Sequence, residues 1–229
     1  MSDGHWNQPE GPFQASLHRN VKGRERELRS LADGVRRLVR FVTNHEASKQ
    51  ATAEAARDVH ALADALLAHV PETPPARYDF EGMPTETHDF FPYDPVLGLY
   101  NPLALPVEME WHAPKAIGRA YFDTPFEGPP GCVHGAVLAA VFDQVLNVAN
   151  MQEGCPGPTA KLTLEYRRPT PLHRDLVFEA WVDSREEQKV MTRGQVLCDG
   201  GVCVEAEGLF IAIDFERIQR LAPETPDAS

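Results

Sequence analysis

From Leu28 onward, apolar residues recur at three- and four-residue steps: Leu28, Leu31, Ala32, Val35, Leu38, Val39 and Val42. That is the period of an amphipathic helix, and arginine and glutamate fill its other face. The stripe breaks around Thr43-Asn44-His45 and resumes as Val59, Leu62, Ala63, Leu66, Leu67 and Val70. Two such helices predict a hairpin whose apolar faces need cover, either from each other or from the rest of the chain. The basic positions Arg36, Arg37 and Arg40 read as a solvated face. The first twenty residues are polar and interrupted by glycine and proline, which predicts a frayed start.

From Pro71 to Pro106 the pattern changes. Pro74-Pro75, Phe90-Phe91-Pro92-Tyr93 and Tyr100-Asn101-Pro102 exclude a continuous helix or a central strand. The aromatics predict an ordered, extended arm that packs on the next domain. Beyond Pro106 the chain reads as strands around one helix. Val107–Trp111 and Ala116–Phe122 are short strand candidates, and a helix runs from about His134 to Met151. Ala160–Tyr166 alternates with period two, Leu176–Val182 is another strand, and Val190–Cys198 and Val202–Ile213 flank a hairpin turn at Asp199-Gly200-Gly201. The short later connections require antiparallel pairing. The fold class expected is α+β, one antiparallel sheet wrapped around a long central helix. The expected divisions are a helical extension over 1–70, the arm over 71–106, a main domain over 107–215 and a tail over 216–229.

Composition narrows the function. The chain has 229 residues and a formal net charge of -12, which argues against a nucleic-acid binder and against binding to an anionic membrane. No apolar run approaches the roughly 20 residues that span a bilayer, and the start lacks a leader pattern, so a cytoplasmic protein is expected. Cys132, Cys155, Cys198 and Cys203 show no zinc-type spacing and are expected to stay reduced, with no metal bound.

One stretch carries chemistry. Gly131-Cys132-Val133-His134-Gly135-Ala136 is a glycine-flanked turn that enters a helix apolar almost all the way round. Such a helix is usually buried, and a lone carboxylate within it, Asp143, is costly unless it is paired or used. The open N–H groups of the helix start near Gly135 suit a developing oxyanion, and Asp143 suits a base or a nucleophile. One turn further on, Asn147 lies on the same face as Asp143 and within reach of it.

This motif resembles that of the hotdog-fold acyl-CoA thioesterases, with Asp143 nine positions after His134 and with a second block, Thr159-Ala160-Lys161-Leu162-Thr163-Leu164-Glu165-Tyr166-Arg167-Arg168-Pro169, in the same order. It is most similar to their phenylacetate-type branch with a His-Gly-Gly motif, over about Val107 to Ile213. The resemblance implies a hotdog fold and hydrolysis of acyl-CoA or related thioesters, with CoA entering as part of the substrate and no separate cofactor. It implies that the Gly135 N–H polarises the thioester carbonyl, that Asp143 activates water or attacks, that Thr159 positions the acid or the water, and that His134 orients the turn. Ala136 stands where the branch has its second glycine. Glu127 is the candidate for a polar residue that the branch carries before the histidine. Arg167 and Arg168 are candidates for the CoA phosphates, with a solvated strand end as the other reading. Tyr166 and Trp181 read as packing residues.

Two other functions stay open: a hotdog hydratase or dehydratase, and a non-catalytic module that binds acyl-CoA or a small aromatic. The hydratases carry an Asp a few residues before a His, and here the order is reversed. Assembly is argued from length. Gly135 and Asp143, eight residues apart on one helix, are separated by roughly 12 Å along its axis, too far to serve one thioester. A homodimer or a dimer of dimers, with the start of one helix facing the middle of its mate, is therefore expected.

Overall fold

The computed structural model describes residues 21–73, 92–112 and 114–213. The expected frayed start, half of the proline-rich arm (74–91) and the expected tail lie outside them. Helix α1 spans Glu25–Asn44 and α2 spans Lys49–Leu67. Strands β1 (Val107–His112) and β2 (Lys115–Tyr121) lead through a short 3-10 turn at Thr124–Phe126 to α3 (Gly135–Gln152). Strands β3 (Thr159–Tyr166), β4 (Asp175–Glu186), β5 (Lys189–Cys198) and β6 (Gly201–Ile211) come after it.

The six strands form one sheet in the order β1-β2-β4-β5-β6-β3, with every neighbouring pair antiparallel. The α+β class with one sheet around a central helix is thus observed. No helix among the described residues is long and apolar enough to cross a membrane. At the expected hairpin, Asp199 (φ 51°) and Gly200 (φ 76°) both take positive φ, as the tight turn between two twisted strands requires.

The core lies between α3 and the concave face of the sheet. Leu138, Val141, Phe142, Val145, Leu146, Val148 and Ala149 of α3 are buried. Phe142 meets Phe178 of β4 edge to face, with centroids 5.2 Å apart. Along β5, Val190, Thr192, Val196 and Cys198 alternate inward. Each fully buried side chain of this size contributes about 1.5–3 kcal/mol. One polar pair is sealed in: Thr192 donates to Oδ1 of Asn150 near the end of α3. The opposite face of the sheet carries ion pairs such as Lys115–Glu179 at 2.9 Å. That lysine, and Gln195 after it, hold the Glu179 carboxyl below the usual carboxylate range. The four cysteines are free, and burial pushes the Cys155 and Cys198 thiols up.

Two expectations are corrected. The helix α3 is not buried all round. The sheet covers one side, while Ala136 is exposed and Ala140, Asp143 and Asn147, spaced four, three and four apart, are only half-buried. Nor do the stripes of α1 and α2 find cover among the described residues. Only Ala32 of α1 is buried and nothing of α2, while Leu31 stays 52% exposed and Leu62 55%.

What docks α1 is its basic face, read from the sequence as solvated. Arg36 donates to the carbonyls of Asn101 (2.7 Å) and Leu99 (3.3 Å), and its other arm pairs with Asp33 at 2.7 Å. Arg40 pairs with Asp123 at 2.7 Å. The turns at 92–105 bury Val96, Tyr100 and Ala104 and present these carbonyls to α1. A hydrophobic pattern does not reveal such a partner.

Candidate active site

The turn before α3 is built by its own backbone. Gly131 takes φ +73°, which only glycine adopts freely. Around it, the Gly128 N–H donates to Cys132 (2.9 Å), Cys132 to Pro129 (2.9 Å) and Val133 to Thr170 (2.8 Å). The His134 N–H donates to the Phe126 carbonyl at 2.9 Å, so the residue that starts the helix is fixed to the 3-10 turn.

His134 caps α3. Its Nδ1 accepts from the Ala136 N–H at 3.0 Å. That bond consumes one of the free donors of the helix start and leaves the Gly135 N–H, first in the helix, with no acceptor within the helix. Tyr166 stands against the same residue. The Gly135 carbonyl accepts from Tyr166 Oη at 3.2 Å, and a Cβ on Gly135 would lie 2.9 Å from that same oxygen.

Asp143 stands two turns along, on the half-covered side of α3. Thr159 Oγ1 donates to its Oδ1 at 2.6 Å. The bond depends on a defect in the strand. In β3, Leu162 and Leu164 pack toward the core and Lys161, Thr163 and Glu165 face away. Strict alternation would turn Thr159 away with them. The β3–β6 register slips between Thr159 and Lys161, and the extra residue, Ala160, turns Thr159 back toward the helix. The acid expected to be buried is therefore half-exposed, and its partner is the Thr159 hydroxyl.

The comparisons with known proteins meet this region. A family model described as the thioesterase superfamily matches residues 130–205, which hold the turn, α3 and the Asp143–Thr159 pair. A crystal structure described as a thioesterase superfamily protein is 34% identical, with a TM-score of 0.70, covering 80% of this chain and 94% of that one. The chain belongs to the thioesterase superfamily. Among curated proteins, the acyl-coenzyme A thioesterase THEM4 of Xenopus laevis is 34% identical over 90 residues, 38% of this chain and 40% of the relative. The Mus musculus protein of the same name is 30% identical over 93 residues. The matched part spans about 40% of the length of these curated relatives.

Within this thioesterase-superfamily domain, the remaining sequence candidates fall elsewhere. Asn147 does not bond Asp143; its Oδ1 accepts from the Gly157 N–H at 3.4 Å and ties α3 to the loop before β3. Glu127 staples the turn, its Oε1 accepting from the Gly131 N–H at 2.6 Å while the backbone bridges to Val133. Arg168 donates to the carbonyls of Cys198 (2.6 Å), Gly201 (2.5 Å) and Val202 (3.1 Å), so it clasps the β5–β6 hairpin. Arg167 pairs with Glu205 at 2.5 Å and with Glu165, and these two carboxylates raise its already high pKa. Both arginines meet protein partners that a phosphate would have to displace. Ala136 lies exposed beside the turn.

Two residues enter that the pattern did not single out. Tyr166, read as packing, donates to the carbonyl of Gly135, the residue whose N–H is the oxyanion candidate. Asp123, held by Arg40 through Oδ2 with Oδ1 buried and unpartnered, begins the segment whose Phe126 carbonyl holds His134. An odd carboxylate beside a 3-10 turn has no signature in one sequence.

Proposed function

We propose that this chain hydrolyses acyl-coenzyme A thioesters to a free acid and a thiol. The Asp143–Thr159 bond carries the reading: at 2.6 Å, a carboxylate is held by one oxygen on the open side of α3, and its second oxygen, bonded by none of the described residues, would face a water or a thioester carbon. In this reading Asp143 takes a proton from water as the oxygen attacks the carbonyl carbon. The carbonyl electron pair moves onto oxygen, where a helix-start N–H receives it. Collapse of the tetrahedral adduct breaks the C–S bond, and the thiolate leaves as thiol with that proton. Direct attack by Asp143 would instead give a mixed anhydride that water then opens.

The oxyanion donor is the Gly135 N–H of a second copy. The roughly 12 Å between Gly135 and Asp143 along α3 separates them within one chain. Two-fold pairing is favoured by the surface on which they lie. Among the described residues, strand β3 ends the sheet with an unpaired edge, and His134, Ala136, Thr159 and Tyr166 are exposed beside it. An open edge next to a half-covered helix is the surface through which a homodimer, or a dimer of dimers, would close.

The test is thiol release from a panel of short-, medium-, long-chain and aryl acyl-CoAs, with a single turnover in ¹⁸O-labelled water. Label in Asp143 requires an anhydride opened at the Asp143 carbon, and label confined to the product acid requires water to attack the acyl carbon, as in base catalysis or in an anhydride opened on that side. Binding of every acyl-CoA without release would leave a binding module in place of an enzyme.

A further inference from the structure

The largest unexplained surface is the helical hairpin. Eleven large apolar side chains between Leu31 and Val70 are at least 38% exposed. Together they show about 900 Å² of apolar area, above the 300–600 Å² patch usual on a monomer and close to the roughly 800 Å² each partner gives to a standard interface. Their spacing identifies the shape of what covers them. Leu31, Val35, Leu38 and Val42 step by four, three and four; Val59, Leu62 and Leu66 step by three and four. These are narrow heptad seams, which pack against other helices. Between α1 and α2 lies an open cleft of about 740 Å³, lined by Leu31, Val35, Leu38 and Leu62.

We infer that the hairpin docks on the hairpin of a second copy of this chain, forming a four-helix bundle. Two observations favour a second copy over a foreign helix. The chain supplies two heptad seams side by side, joined by the four residues His45–Ser48, and two such hairpins make a complete bundle under a two-fold axis. The exposed apolar area matches what one partner gives to a dimer interface. This contact is separate from the β3 edge and does not depend on the reaction assigned to Asp143.

Cross-linking between two differently tagged full-length chains tests it, one carrying Leu38→Cys and the other Leu62→Cys. Each chain then holds one engineered thiol, so a Leu38–Leu62 link joins two chains. Both positions line one cleft, so a two-fold partner puts its own pair in the same layer. A short bis-maleimide should join the mixed chains in high yield, with the linked peptide identified by mass spectrometry. Adding Val35→Glu to both chains should cut that yield at least tenfold while circular dichroism stays unchanged. No Leu38–Leu62 link between chains overturns the proposal, whether the seam is then covered by another segment of the same chain, by a foreign partner or by nothing. A link that survives Val35→Glu overturns it as well.

Discussion

Replacing Thr159 by valine removes one hydroxyl and little else. Valine keeps the shape and the strand preference, and position 159 is exposed, so the fold should lose less than about 1 kcal/mol. What disappears is the 2.6 Å bond to Asp143 Oδ1. A hydrogen bond to a charged acceptor is worth about 1.5–3 kcal/mol. If that energy holds the carboxylate in its reactive orientation, kcat for acyl-CoA hydrolysis should fall about 10- to 150-fold. KM should stay within about threefold, because Thr159 is assigned no contact with the bulk of the ligand. Thr159→Ser, which keeps the hydroxyl, should recover most of the rate. Steady-state thiol release at saturating acyl-CoA measures all three. A Thr159→Val enzyme with kcat within twofold of the parent would refute the claim that this bond positions the acid.

Gly135→Ala should fold, because the added Cβ meets only the movable end of Tyr166 at 2.9 Å, yet it should lower kcat about tenfold or more by crowding the oxyanion donor; a rate within twofold in thiol release would count against that assignment. Arg40→Ala leaves Asp123 without its ion-pair partner and loosens the segment that holds His134. Thermal melts should show a loss of about 1 kcal/mol, and kcat should drop several-fold, with Arg40→Lys in between; unchanged kcat would mean that α1 does not brace the turn. Glu179 has a lowered folded pKa, so its stabilising contribution is present above the unfolded glutamate range and is lost as pH falls through the folded value. Glu179→Gln should therefore cost stability at neutral pH and little in strong acid, as denaturant titrations at several pH values would show.

Periodicity revealed most of the elements. Helix α1, α3 and the Asp199-Gly200 hairpin stand where their spacing and turn residues put them, while α2 starts at Lys49, ahead of its stripe, and ends at Leu67, short of Val70. The far ends of β4 and β5 did not show, because Asp183-Ser184-Arg185-Glu186-Glu187-Gln188-Lys189 is polar throughout and its strands project beyond the core. Glu187 turns there at φ 52° without a glycine to signal it. The candidate site was legible in its residues and not in its wiring. The sequence motif pointed to His134, Gly135, Asp143 and Thr159. That Thr159 reaches Asp143 depends on one slipped residue in β3, and a register slip leaves no mark in a single sequence. Asn147, Glu127, Arg167 and Arg168 were drawn in by chemical type, and each meets another partner: backbone groups take Asn147, Glu127 and Arg168, and the carboxylates of Glu165 and Glu205 take Arg167. The docking of α1 was missed for a related reason: the acceptors of Arg36 are backbone carbonyls, which no side-chain pattern records, and the partner of Arg40, Asp123, stands far along the chain from it.

The central claim is that Asp143 does the chemistry. Asp143→Asn keeps the shape and the capacity to accept from Thr159, but removes the charge that takes a proton or attacks carbon. Turnover of the best acyl-CoA by this variant, measured beside its melting temperature and its mass in solution, is the most direct test. The account predicts a folded, normally assembled protein with kcat lower by about 10²–10⁴. A folded variant that releases thiol at nearly the parent rate would contradict it.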